Sequence, residues 1–413
     1  MFYNLLSADL QSLGQPRLLT PATPATLGDD GALAPHVLRG LDDFFSEDAL
    51  RVMSEWVMPE GLPTATDRED RWRLASSLQK AIRRGDVAAA MRAAHACHAV
   101  DPAYLRKRLA VCAIEDVLLG NLRAVAWTLA LMGNHVARRS AGELKSAVWL
   151  AEALAGGAKD RTACNLILAV DFDRDRHQQT EVMASWLDED LAAWALDLDR
   201  PLVDRMAATW MLAGTKRFPN LNAPEWNERP RDRLMSLMVA SGMPLILCYI
   251  ADRAAIRGGG CMHASLLPMW QVIQQDEADL RFLPGELPDD PGIGKLLSSA
   301  YDMHTRQGQA AIIRLMALPG IAQALTQVSP SDRRGALFEA VFAVEGGRLS
   351  SRVSSPQLDS LTVYVDDLVL AYSGLRTSEE RRGLLKATAD ALPELHRLRR
   401  EIVLGGRNQR EGA

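Results

Sequence analysis

Leu74, Leu78 and Ile82 recur at i, i+4 and i+8, and the chain repeats this helical rhythm almost to its end. That periodicity constrains the fold more than any other feature. Gly85 stops the first segment, and Asp86 is placed to cap the next. Asp101-Pro102 is a second start signal. Aspartate caps a helix, and proline costs nothing at the first helical position, where its missing N–H would have no partner. Leu105, Leu109, Cys112 and Ala113 then mark a buried stripe that ends at Gly120-Asn121. Segments of similar length are expected over 122–132, 140–155 and 160–170. In the second half, "DRPLVDRMAATWMLAG" and "RDRLMSLMVASG" each close on glycine. "DSLTVYVDDLVLAY" has a strand-like composition, yet Leu361, Tyr364, Val365, Leu368, Val369 and Tyr372 share one helical face. No βαβ rhythm, no hairpin between alternating runs and no short-period repeat is found. The expected fold is all-α, a multi-helix bundle or an irregular α-solenoid-like array with no substantial sheet.

A chain of 413 residues predicts more than one packed unit. Breaks are expected near 69, 181–185 and 346–357. They divide the chain into an N-terminal arm, linker and short helices (1–68), a helical domain (69–180), a second helical region (181–345) and a C-terminal helical region (346–413). Residues 15–35, rich in Pro, Thr and Gly, read as a linker or surface loop. The net charge of −5 excludes a global attraction to nucleic acid or acidic membranes, so any such contact must be local. Five cysteines without a CxxC pair read as reduced thiols of a cytosolic protein. "MFYNLLSADLQS" lacks the basic and apolar regions of a signal peptide, and "MPLILCYIA" (243–251) is too short to span a bilayer. A cytoplasmic protein without membrane association is expected.

The candidate chemical motifs fall short one by one. His95-x-Cys97-His98 could place two imidazoles on one helical face, but no further ligand follows at zinc spacing. The helix-end reading, with histidine near the negative pole of the dipole, is preferred. Cys261 and His263 after a triple glycine have no orienting third group. "DFDRDRH" (171–177) starts like a calcium loop but has Arg176 where glycine and Val182 where glutamate are needed. "PGIGKLLSS" (291–299) has the wrong spacing for a Walker loop and no preceding apolar strand. No catalytic residue, metal ligand or cofactor is therefore expected, and the chain reads as a non-enzyme.

The stronger signal is charge. Residues 71–108 carry nine cations, Arg71, Arg73, Lys80, Arg83, Arg84, Arg92, Arg106, Lys107 and Arg108, against Asp86 and Asp101. All but Arg92 are taken as the candidate partner- or phosphate-binding set. The competing reading is a solvated face paired with acids from elsewhere, such as "DEDLAAWALDLD" (188–199). Trp72 and Tyr104 are the only aromatics of the stretch, too few for a single-strand stacking platform.

Leu78 to Ile82, Gly85-Asp86, the Ala-rich 88–94, Asp101-Pro102, Arg106 to Leu109 and Glu115-Asp116 resemble, in order and spacing, the C-terminal helical region of the replication-associated recombination protein A family. Those are clamp-loader-like ATPases related to the Werner-helicase-interacting protein. "AVWLAEALAGGAKDRTACNLILAV" (147–170) is similar to the next stretch of that region, and "DMHTRQGQAA" (302–311) to a later one. The resemblance covers about residues 69–180, and the family's ATPase half has no counterpart. It implies a non-enzymatic interaction or oligomerisation protein of DNA replication or recombination, of phage or mobile-element origin. Its partners would be a protein of the replication and repair machinery or a second copy of itself. A nucleic-acid-binding accessory protein with weak DNA binding through 71–108 is the alternative, and an enzyme of unrecognised type the second.

Overall fold

The polar punctuation of the sequence becomes helix caps. Asp86, Asp101, Asn121 and Asn134 each accept a hydrogen bond from the backbone N–H three residues on, at 2.9–3.0 Å, and each opens a helix. The computed structural model describes residues 18–63, 71–214, 232–257 and 260–408. Among them the fold is all-α, with twenty α-helices and only two small pairs of strands.

The first run of helices is α1 (Pro35–Ser54), α2 (Arg71–Arg84), α3 (Val87–Val100), α4 (Pro102–Cys112), α5 (Leu122–Gly133), α6 (His135–Ala141) and α7 (Glu143–Gly156). Next come α8 (Thr162–Phe172), α9 (Arg174–Met183), α10 (Asp188–Leu196), α11 (Leu202–Ala213), α12 (Asp232–Ala240), α13 (Leu245–Arg257) and α14 (Leu266–Gln275). All contribute to one large hydrophobic core. Helix α13 is buried without a gap from Ile246 to Ala255. A helix covered on every side must settle its own charges. Arg253 does so with Asp252 at 3.0 Å and with Asp42 of α1, which also accepts from the Tyr249 hydroxyl at 2.9 Å.

A second core is built from α15 (Arg306–Leu315), α16 (Pro319–Ala324), α17 (Arg333–Val341), α19 (Ser378–Asp390) and α20 (Leu392–Asn408). Between α17 and α19 lies α18 (Pro356–Tyr372), the segment of strand-like composition, which is helical as its periodicity predicts. It belongs to both cores. Leu358, Leu361 and Val365 pack in the first, and Leu370 in the second.

The break expected at 181 separates no cores, because Leu166 and Val170 pack with Met183, Met206 and Leu234. The division between cores falls near residue 300 instead. Nor does a boundary at 346 hold. Strand β4 (Ser351–Ser354) pairs antiparallel with β1 (Arg281–Pro284), tying the 346–357 loop back to the first lobe. "PGIGKLLSS" holds the second pair of strands. It forms a tight hairpin, β2 (Gly292–Ile293) with β3 (Leu296–Leu297), where Gly294 takes a φ of +64° at the turn. A hairpin had not been expected anywhere, because two-residue strands leave no alternating run to detect. Among the described residues no helix is long and apolar enough to cross a membrane.

Candidate functional site

A cleft of about 1290 Å³ separates the two lobes, with α2, α4 and α8 on one side and α17 with the 299–307 segment on the other. Its floor is organised by two π-helical turns, Ala113–Val117 and Phe342–Gly346. Such turns widen a helix and re-aim side chains, and they concentrate at functional sites. The first presents Glu115 and the fully buried Asp116 and runs into Leu118, whose φ of +23° is strained for leucine.

Arg83 joins the two turns. Its Nε donates to Asp116 at 2.6 Å, one Nη to Glu115 at 3.0 Å, and the other to the Gly346 carbonyl at 3.0 Å. Arg161 reaches the same two acids at 3.5–3.7 Å. The Phe342 ring takes both guanidinium groups, at 5.6 Å from Arg83 and 5.5 Å from Arg161. Beside them Lys80 pairs with Asp302 at 2.5 Å, and Ser76 donates to the same carboxylate at 2.9 Å. Burial pulls the Lys80 ammonium below its usual range, and Asp302 partly opposes this. Burial works to raise Asp302, but the Lys80 charge together with hydrogen bonds from Lys80, Ser76 and the His304 backbone holds the carboxyl below the usual range.

The predicted basic set is thus dispersed rather than presented on one solvent-facing surface. Lys80 and Arg83 are buried. Arg84 turns to Asp290 at 3.7 Å and to the Pro288 carbonyl. Arg106 pairs with Glu143 at 3.2 Å and Arg71 with Asp101 at 3.5 Å. Lys107 stays exposed, and Arg73 and Arg108 lie half-buried along the cleft. The acids that meet these cations are not those of 188–199. In that segment Asp188 pairs with Arg233. Sequence spacing could not place Glu115, Asp116, Asp290 and Asp302 opposite α2, because those contacts cross up to 222 residues.

Several groups at the cleft form no ion pair among the described residues. Arg108 donates to the Gln79 amide oxygen at 2.6 Å; among the described residues its buried Nε has no partner and no carboxylate forms an ion pair with it, although Glu115 and Asp116 act on it through space. Arg306 is exposed at the rim and makes no ion pair among the described residues. Opposite them Glu339 has no side-chain hydrogen bond among the described residues, and burial raises its pKa. At the mouth the Trp72 ring, 58 % exposed, meets Tyr104 edge-on at 5.2 Å, with the Arg71 guanidinium 5.1 Å from the indole. Cys164 also faces the cleft, but burial pushes its thiol up, although Arg161 opposes this. It is not poised as a thiolate nucleophile.

Beneath the floor, Asp290, Glu345 and His396 bring ligand-type atoms within 4.8 Å of one another. That set could hold a divalent cation by residue type, yet it is already satisfied from within. Arg399 donates to Glu345 at 2.8 Å, and the Ser299 hydroxyl and backbone N–H bind Asp290. His396 Nε2 meets the Asp289 carbonyl at 3.2 Å and so carries the proton, leaving Nδ1 to the Ser298 hydroxyl at 2.9 Å. His95, Cys97 and His98 sit at the end of α3. His95 Nδ1 bonds the Pro63 carbonyl at 2.9 Å, and burial pushes the Cys97 thiol to about 12. Asp173 of "DFDRDRH" caps α9. His263 is buried, and the side chain of Cys261 lies outside the described residues.

No protein-family model, curated protein or solved structure matches the chain.

Proposed function

We propose that this chain is a non-enzymatic binding protein of DNA replication or recombination whose recognition site is the cleft between its two helical lobes. The observation that carries the binding reading is the charge arrangement. The deep cations of the cleft are paired with Glu115, Asp116 and Asp302, whereas Arg108 meets Glu115 and Asp116 only through space and Arg306 forms no ion pair among the described residues. A half-buried guanidinium without a carboxylate is an unmet demand for an anion. The assignment to replication rests on the resemblance of residues 69–180 alone. Ser76 and Lys80 line the cleft 2.7 Å apart, but both are also tied to the Asp302 carboxylate, an arrangement that supports binding over catalysis. The test is affinity purification of the full chain from its host, beside Trp72→Ala and Arg306→Glu, both at exposed positions. Material retained by the unmodified chain and lost from both variants supports the cleft as the recognition site. Equal retention by all three overturns it, and a purified chain that turns over ATP would overturn the non-enzymatic reading.

A further inference from the structure

The chemistry of the outer cleft narrows the ligand. An anion alone would need only the guanidinium groups of Arg108 and Arg306. The site adds an exposed indole, held by Tyr104 and Arg71, that can receive a planar ring. It also adds Glu339, an acceptor without a donor. A ligand that answers all three carries negative charge, a flat ring and N–H donors on that ring. An acidic peptide answers the first but carries neither the flat ring nor the ring N–H donors.

We infer that the cleft takes a nucleoside phosphate unit, with phosphate at Arg108 and Arg306, the base on Trp72, and base N–H donors toward Glu339. The inference rests on the reading of the cleft as a recognition site. Few side chains are involved, so the footprint is one or two phosphates. The cleft volume also admits a short single strand rather than one nucleotide alone.

The probe is a fluorescein-labelled single-stranded tetra-deoxyadenylate, followed by anisotropy with the full chain at low salt. Competitors are unlabelled tetranucleotide, AMP, inorganic pyrophosphate and a hexaglutamate peptide. The expected result is saturable binding that AMP displaces better than pyrophosphate. Trp72→Ala should weaken it by about tenfold, with Arg306→Ala weakening it less. Thermal melts check that both variants stay folded. With two phosphate contacts, the logarithm of the affinity should fall against that of salt with a slope of about −1.4. If AMP matches the tetranucleotide, the ligand is a free nucleotide. If the tetranucleotide is much stronger, the ligand is the end of a strand. Either result supports the inference. It is overturned if the tetranucleotide does not bind, or if neither variant weakens binding. Hexaglutamate binding that is lost in Trp72→Ala, with no nucleotide binding, would overturn the ligand class while leaving the cleft as the recognition site.

Discussion

Arg83 shows how differently one residue reads in sequence and in space. In the sequence it is one of nine cations in a basic stretch. In the structure its three nitrogens each donate to a partner: Asp116, Glu115 and a carbonyl of the other lobe. Replacing it with methionine leaves the buried Asp116 and the half-buried Glu115 short of a partner. Arg161 still reaches both, so the loss should fall near the low end for a broken buried pair, about 3 kcal/mol. It should appear as a lower urea midpoint with an unchanged m value. A combined reversal of Arg83, Arg84, Arg106 and Lys107 would therefore unfold the chain rather than test binding. Lys159 makes a second case. It is wholly buried, and its ammonium donates to the Leu154, Ala155 and Gly157 carbonyls at the end of α7. Burial lowers its pKa from 10.5 to about 8, with Asp116 acting the other way. Between pH 8 and 10.5 the unfolded chain holds a proton that the folded chain has released, so stability rises with pH across that window. The gain should reach about 3 kcal/mol. Denaturation from pH 7 to 11 of the unmodified chain and of Lys159→Met should differ by this rise, and parallel curves would remove Lys159 as its source.

At the scale of elements, what was legible is what is local. The Asp101-Pro102 start of α4 is present as expected, with the Asp101 carboxylate accepting from Tyr104 N at 2.9 Å. Asp101→Ala should cost about 1 kcal/mol, read from the same denaturation curves, and an unchanged midpoint would mean that the cap contributes nothing. The periodicity of α18 likewise decided helix over strand: Leu358, Leu361 and Val365 recur at helical spacing into the first core, while Leu370 turns from another face to the second. The π-helical turns were not legible. "AIEDV" and "FAVEG" carry no local mark of a widened turn, and the partners that hold them come from distant helices. Glu115-Asp116 could be singled out by resemblance, but Arg161, Phe342, Glu345 and Glu339 could not, since nothing near them in the chain points to the cleft. Gly308 is a similar case. It looks like an ordinary helix-entry glycine, yet a Cβ there would lie 2.0 Å from the Asp302 carbonyl oxygen. Gly308→Ala must displace that backbone, and the Asp302 carboxylate with it. A loss of about 1–3 kcal/mol is expected, lowering the melting temperature, and an unshifted melt would contradict the close approach.

For the whole molecule, the question is what holds one lobe against the other. The contacts from α2 to the second lobe and the segments leading to it are largely polar: Lys80 and Ser76 to Asp302, Arg83 to Gly346 O, Arg84 to Asp290, and Ser350 N to Arg83 O at 2.8 Å. The interface thus depends on pairs that are favourable only while both members are present. Lys80 and Asp302 allow a direct test, because the ammonium is buried and the carboxylate nearly so. Lys80→Met leaves an uncompensated carboxylate, and Asp302→Leu an uncompensated ammonium, so each should destabilise by about 3 kcal/mol. The double variant removes both charges and replaces them with apolar volume. It should therefore be more stable than the sum of the single losses, by a coupling of about 1–3 kcal/mol. Urea denaturation of the four proteins measures that coupling. Strict additivity would mean that water already reaches the pair and that the lobes are held elsewhere. A coupling of the expected size would make this ion pair one of the ties that keep the lobes, and the cleft between them, in register.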